Sequence, residues 1–145
     1  MRTHQLFLLI LLFVSAGVSR GLAQTSGQVF FAGSYDDFLR EAKKQNKVAL
    51  LDFRVERCSS CQKLEKETFQ DPELQKFLDR NYLIRKIELN SSEGKLLADK
   101  YRVDEFPALV LLDFPSRSVR KLNGFYQPDY LKKELEKFRW QPMSK

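Results

Sequence analysis

The sequence predicts a single α/β domain, a central mixed β-sheet flanked by helices. Three observations carry this reading. Val48 to Phe53 is a near-continuous apolar run, the pattern of a strand covered on both faces. Strand-like and helix-like segments alternate around it, which builds parallel βαβ units. Towards the C-terminus, two strand-like segments flank a short loop and a last helix follows, so the sheet ends in an antiparallel hairpin. Hydrophobic residues make up 43% of the 145-residue chain, enough to fill one core. The sequence shows no internal repeat, no low-complexity tract and no second domain.

Each element has a local reason. Val29-Phe30-Phe31 can form a short first strand. Ser34-x-x-Asp37 resembles a capping box and opens a helix to about Gln45, with Phe38, Leu39 and Ala42 on its apolar face. After the Val48–Phe53 strand, a helical pattern runs to about Phe69. Asp71-Pro72 restarts it, with Asp as N-cap and Pro at the first helical position. Leu74, Phe77 and Leu78 form its buried stripe. Tyr82 to Leu89 is the next strand. Ser91 or Ser92 caps a helix carrying Leu96, Leu97 and Tyr101. Val103 to Pro107 is a turn, and Ala108 to Leu112 a strand. Phe114 to Ser118 is the hairpin loop, and Val119 to Leu122 the partner strand. Gly124 ends that strand, and Pro128 starts a last helix to about Phe138.

The N-terminus is set apart from this domain. Met1-Arg2-Thr3-His4 is basic, Leu6 to Val14 is densely apolar, and Gly21 and Ala23 are small residues placed for cleavage. Residues 1–23 are therefore expected to be a secretory signal peptide, and residues 24–145 the mature domain. The apolar run is short for a membrane span of about 20 residues. Export implies an oxidising compartment. The periplasm is the expected destination; secretion or the endoplasmic-reticulum lumen are the alternatives. Loss of Arg2 and Arg20 lowers the formal charge from +6 to +4. The remaining charges interleave, as in Glu65-Lys66-Glu67, which reads as a solvated mixed surface and not as a nucleic-acid or membrane face.

The chemistry lies in the only two cysteines, Cys58 and Cys61. A strand runs into a polar turn that delivers both at the start of a helix. A sulfur there faces unpaired backbone N–H groups and the positive end of the helix dipole, which favour thiolate over thiol. Cys58 is the candidate nucleophile. Cys61, one turn on, can close a disulfide with it. Arg57 supplies a nearby cation, and Ser59 and Ser60 can donate hydroxyl hydrogen bonds to the thiolate; they can equally serve as helix caps. A plain structural bridge is the alternative, but so short a loop adds little stability. Metal readings are poor. The only histidine, His4, lies in the leader, and two sulfurs cannot complete a four-ligand zinc site in a monomer. Cu(I) on two thiolates is the metal reading the ligand types allow.

Asp52-Phe53-x-x-x-x-Cys58-x-x-Cys61 resembles the active-site segment of the thioredoxin family. Glu65-x-x-Thr68-Phe69-x-Asp71-Pro72 is similar to its exported branch, which includes the C-terminal domain of the bacterial transmembrane thiol:disulfide interchange reductase. The chain departs from the family at Arg57, at Ser59-Ser60 and at Gln62. The resemblance implies a thioredoxin fold and a Cys58–Cys61 dithiol that reduces or exchanges disulfides in client proteins. It implies that Asp52 is buried and relays a proton to or from Cys61, with Lys86 as its partner. A water-facing Asp at the strand end is the alternative. It also implies a cis Phe106–Pro107 bond that leaves the Phe106 backbone extended to pair with a substrate peptide; a trans proline opening an edge strand is the alternative. A reductase of this kind needs an electron source, and the resemblance points to a membrane-bound donor. No cofactor is expected, and a monomer is. The competing function is a non-catalytic binding module or Cu(I) carrier on the same fold.

Overall fold

The computed structural model describes residues 30–115 and 117–139. The expected leader, Val29 of the expected first strand and Ser116 of the hairpin loop lie outside the described residues. In chain order the elements are α1 (Tyr35–Lys44), β1 (Val48–Arg54), α2 (Ser59–Lys63), a π-helical turn (Leu64–Thr68), α3 (Pro72–Asn81), β2 (Tyr82–Glu88), α4 (Ser92–Tyr101), β3 (Ala108–Asp113), β4 (Ser118–Asn123) and α5 (Pro128–Arg139). The sheet order is β2-β1-β3-β4. β1 and β2 run parallel, and β3 lies antiparallel to both β1 and β4. This is the mixed sheet of the thioredoxin fold.

Alternation along the strands divides the core into two layers. Val48, Leu50, Ile84, Leu109 and Leu111 face Leu64, Phe69, Leu74, Leu78, Leu131 and Leu135 of the helices on one side. Ala49, Leu51, Phe53, Ile87, Val110 and Leu112 face Phe38 and Ala42 of α1 and Leu97 and Ala98 of α4 on the other. β1 is buried along its whole length, so everything it carries, charged residues included, sits in the interior.

The caps match the sequence reading. The side chains of Ser34, Asp71 and Ser91 accept hydrogen bonds from the backbone N–H groups of Asp37, Leu74 and Gly94. Two features differ. Phe30 and Phe31 form no strand. A hydrogen bond from Phe31 N to Ile84 O (2.7 Å) lays the segment against β2, and Gly33, at φ +146°, then turns the chain into α1. The second difference is the π-helical turn, where Phe69 N donates to Leu64 O at 3.0 Å. Such turns insert one extra residue into a helix. Here the helix end is also tied across the fold, because the buried Thr68 donates its Oγ1–H to Tyr126 O at 2.5 Å.

Candidate active site

β1 leaves the core at Arg54, and Val55 to Arg57 make the polar turn. Arg57 is exposed and takes the left-handed conformation, φ +57°, which bends the chain sharply before the cysteines. Cys58 caps α2: its Sγ accepts the Cys61 N–H at 3.0 Å. The two cysteines form a disulfide. They are unequal in environment. Cys58 is half-buried and Cys61 is 3% exposed. Attack from outside therefore has access to Cys58 and not to Cys61.

The two serines also differ. Ser60 Oγ lies 3.4 Å from Cys58 Sγ. Ser59 is exposed on the first turn. The peptide bond between Phe106 and Pro107 is cis. Pro107 is buried, its carbonyl accepts from Gly124 N at 2.7 Å, and Phe106 is half-buried against the α1/α4 core layer.

Asp52 is fully buried. It shares its sheet face with Val48 and Leu50, the face that the cysteine-bearing helix covers through Leu64. Burial pushes its carboxyl up to about 6, while the charges of Arg54 and Lys86 pull against that rise. Its direct partner is not the lysine that the resemblance implies. Arg54 Nη2 donates to Asp52 Oδ2 at 2.8 Å. Lys86, although beside Asp52 in the β1–β2 register, reaches past it to Glu65 Oε1 at 2.6 Å and lies 4.1 Å over the Phe30 ring. Arg54 stands two residues from Asp52 on one strand, hence on the same face, and fills the place beside the carboxylate, while Glu65 holds the Lys86 ammonium.

Arg54 and Glu65 are the site residues that the sequence reading missed. Arg54 Nη1 donates to Glu65 Oε2 at 2.6 Å, and Arg54 Nε lies 4.0 Å from Glu88 Oε1. Burial alone would raise the Glu65 carboxyl, but hydrogen bonds from Lys86 and Arg54 outweigh it and hold Glu65 below the usual carboxylate range. The result is a chain of charges, Asp52–Arg54–Glu65–Lys86, running from the interior to the surface. The signals were present in the sequence: a charge two residues after Asp52 on a buried strand, and a carboxylate one helical turn after Cys61. Among the described residues no cluster of three or more His, Cys, Asp or Glu side chains is arranged to hold a metal ion.

The arrangement offers an accessible sulfur at a helix start, a second sulfur behind it, and a buried carboxylate on the sheet face below. The chain is similar to known proteins of the same fold. Over 100 residues the chain is 28% identical to the thiol:disulfide interchange protein DsbD of Haemophilus influenzae, a stretch covering 66% of this chain and 17% of that protein. It thus spans less than a fifth of that relative's length. In fold it is similar to a thioredoxin from Thermus thermophilus, with a TM-score of 0.65, 21% identity and coverage of 79% of this chain and 88% of that one. It is likewise similar to the oxidised C-terminal domain of DsbD from Neisseria meningitidis, with a TM-score of 0.61, 22% identity and coverage of 75% and 98%. The family model of the thioredoxin-like domain matches residues 35–139, and the chain belongs to that family.

Proposed function

We propose that this chain is an exported thiol–disulfide oxidoreductase that reduces or exchanges disulfides in client proteins. The observation that carries the reading is the disulfide between a half-buried Cys58 and a buried Cys61, at a helix start on the sheet face that holds Asp52. In the reduced form the Cys58 thiolate attacks one sulfur of a client disulfide. A Cys58–client disulfide forms, and the other client sulfur leaves as a thiolate. Cys61 then gives its thiol proton to Asp52 and attacks Cys58 Sγ. The Cys58–Cys61 disulfide re-forms, and the second client sulfur leaves. Two electrons pass to the client, whose sulfurs take up two protons. Asp52 suits the proton step because burial has moved its carboxyl towards neutral pH. The Phe106 backbone and Pro107 hold the client strand beside the disulfide. Arg57 and Ser60 stabilise the thiolate, with Ser59 exposed beside them. Residues 1–23 serve as the leader, the mature domain works as a monomer in the periplasm, and a membrane-bound donor returns the electrons.

The test uses the asymmetry of the two sulfurs. Cys58→Ala removes the attacking thiolate, so insulin reduction with dithiothreitol as electron source falls to background and no client is trapped. Cys61→Ala still attacks but cannot release. It accumulates mixed disulfides through Cys58, seen as high-mass bands on non-reducing gels that collapse with reductant. Two variants that behave alike, neither trapping a partner, would refute the oxidoreductase reading in favour of a structural bridge or a Cu(I) site.

A further inference from the structure

We propose that Arg54 is a positioning residue of this site: it fixes the Asp52 carboxylate on the face beneath the cysteine-bearing helix and sets the pH range in which that carboxylate accepts a proton. The proposal rests on the oxidoreductase reading above. Its geometric basis is a guanidinium held between two carboxylates of different burial. The Arg54 side chain is 11% exposed. One end of its planar fork reaches the fully buried Asp52 at 2.8 Å, and the other reaches Glu65 at 2.6 Å, whose side chain is 35% exposed. Only arginine has a rigid fork of this kind, so one cation can orient two acids at once. A lysine at this place would serve one or the other.

The groups around Asp52 leave Arg54 as the dominant one. From β1 comes Arg54, and from the π-helical turn comes Glu65. From β2 come Lys86, whose ammonium is engaged by Glu65, and Glu88, which lies 4.0 Å from Arg54. α2 and its N-cap bring the two cysteines. β3 faces the same layer with Leu109 and Leu111, which offer no polar atom. An acid in such a place stays protonated unless a cation is at hand, since ionisation in the interior is costly. A protonated Asp52 cannot take the Cys61 proton. Arg54 therefore makes the base available at neutral pH, and through Glu65 it links the buried acid to the surface. A purely structural ion pair would share this geometry. The two roles differ in their dependence on pH.

The experiment is a carboxyl titration of Asp52 by carbon-13 NMR in the oxidised protein, beside the pH profile of insulin reduction, for the parent protein, Arg54→Met and Arg54→Lys. Loss of the guanidinium raises the Asp52 midpoint by about 1–3 units in Arg54→Met. Arg54→Lys gives a smaller rise. For a two-unit rise, Arg54→Met reduces insulin about tenfold more slowly than the parent at about pH 7, and the gap closes by about pH 9. A midpoint that stays within about half a unit of the parent in both variants overturns the proposal. So does an activity loss that is the same at every pH. If Arg54→Met fails to fold, Arg54→Lys decides alone, because its midpoint must still rise. If the parent protein fails to reduce insulin, the oxidoreductase reading falls, while the carboxyl titration still reports whether Arg54 governs Asp52.

Discussion

Replacing Asp52 by asparagine should change how the stability of this protein depends on pH. The carboxyl of Asp52 is raised from 3.8 to about 6 on folding. The native state therefore binds more protons than the unfolded chain across that window. Stability falls wherever the native state holds the extra protons. So the protein loses stability as pH rises from below 4 through about 6, the reverse of the usual salt-bridged aspartate. A rise of about two units, at 1.36 kcal/mol each, corresponds to about 3 kcal/mol in all. Between about pH 4 and pH 8 the part expressed is about 2.5 kcal/mol. The asparagine side chain cannot ionise and lacks this contribution. Its amide also buries two N–H donors where Asp52 Oδ1, which has no hydrogen-bond partner among the described residues, now lies, and a donor left unpaired there is costly. That cost of about 1–3 kcal/mol is independent of pH. The sign of the effect at one pH is thus a balance, but the change with pH is not. Urea melts of oxidised parent and Asp52→Asn at several pH values would show the variant gaining about 2–3 kcal/mol on the parent from pH 4 to pH 8. Parallel curves would mean that Asp52 ionises in the folded protein as it does in water, and its role as a tuned base would have to be dropped.

Two further outcomes follow from contacts around the site and the fold. Ser60→Ala should slow alkylation of reduced Cys58 by iodoacetamide about threefold to tenfold near pH 7, the net worth of about 1 kcal/mol for one long hydrogen bond to sulfur, because Ser60 Oγ lies 3.4 Å from that sulfur; an equal effect from the exposed Ser59→Ala would place the cause elsewhere. Gly94→Ala should destabilise the fold by about 1–3 kcal/mol in a thermal melt, since an added Cβ would meet the Glu88 carbonyl oxygen at 2.0 Å, and an unchanged melting temperature would show that β2 and α4 can move apart freely.

Most of the fold was legible because its signals are local. The caps at Ser34, Asp71 and Ser91 and the apolar run of β1 each declare themselves within a few residues. That Phe30 and Phe31 form no strand was not legible, because two aromatic residues fit an extended segment whether or not it joins the sheet. The π-helical turn at Leu64–Thr68 was hidden for a similar reason: its residues suit an α-helix as well, and the tie from Thr68 to Tyr126 spans 58 positions. At the site, the cysteines and Asp52 stood out because cysteine is scarce and a carboxylate in an apolar strand is conspicuous. The Asp52–Arg54–Glu65–Lys86 chain did not. Arg54, Glu65 and Lys86 each look like ordinary surface charge in a sequence where basic and acidic residues interleave throughout. Only the burial of β1 to its last residue carries Arg54 into the interior, and only the packing of the cysteine-bearing helix brings Glu65 to it.

Stability alone does not account for this combination of residues. A bridge closing a loop of four residues restricts the unfolded chain by about 2 kcal/mol, well below what longer loops give. The acid buried on the sheet face below it costs about 3 kcal/mol once ionised at neutral pH. A leucine at position 52 would remove that cost and continue the apolar run of Leu50 and Leu51. Arg54 would then lose its buried partner but keep Glu65. A fold shaped only for stability has an easy route to improvement here, and natural proteins commonly leave such routes unused where a site needs a strained or costly group. Perturbed ionisable residues gather at functional sites for that reason. The disulfide contributes little as a staple, and the carboxylate is a liability in the core. Together, with one sulfur reachable and the other shielded, they support the proposal that electrons and protons move between sulfurs at this site. That pairing of a modest staple with a costly acid is the argument for chemistry at Cys58 and Cys61, and it stands on the energetics of this chain independently of any relative.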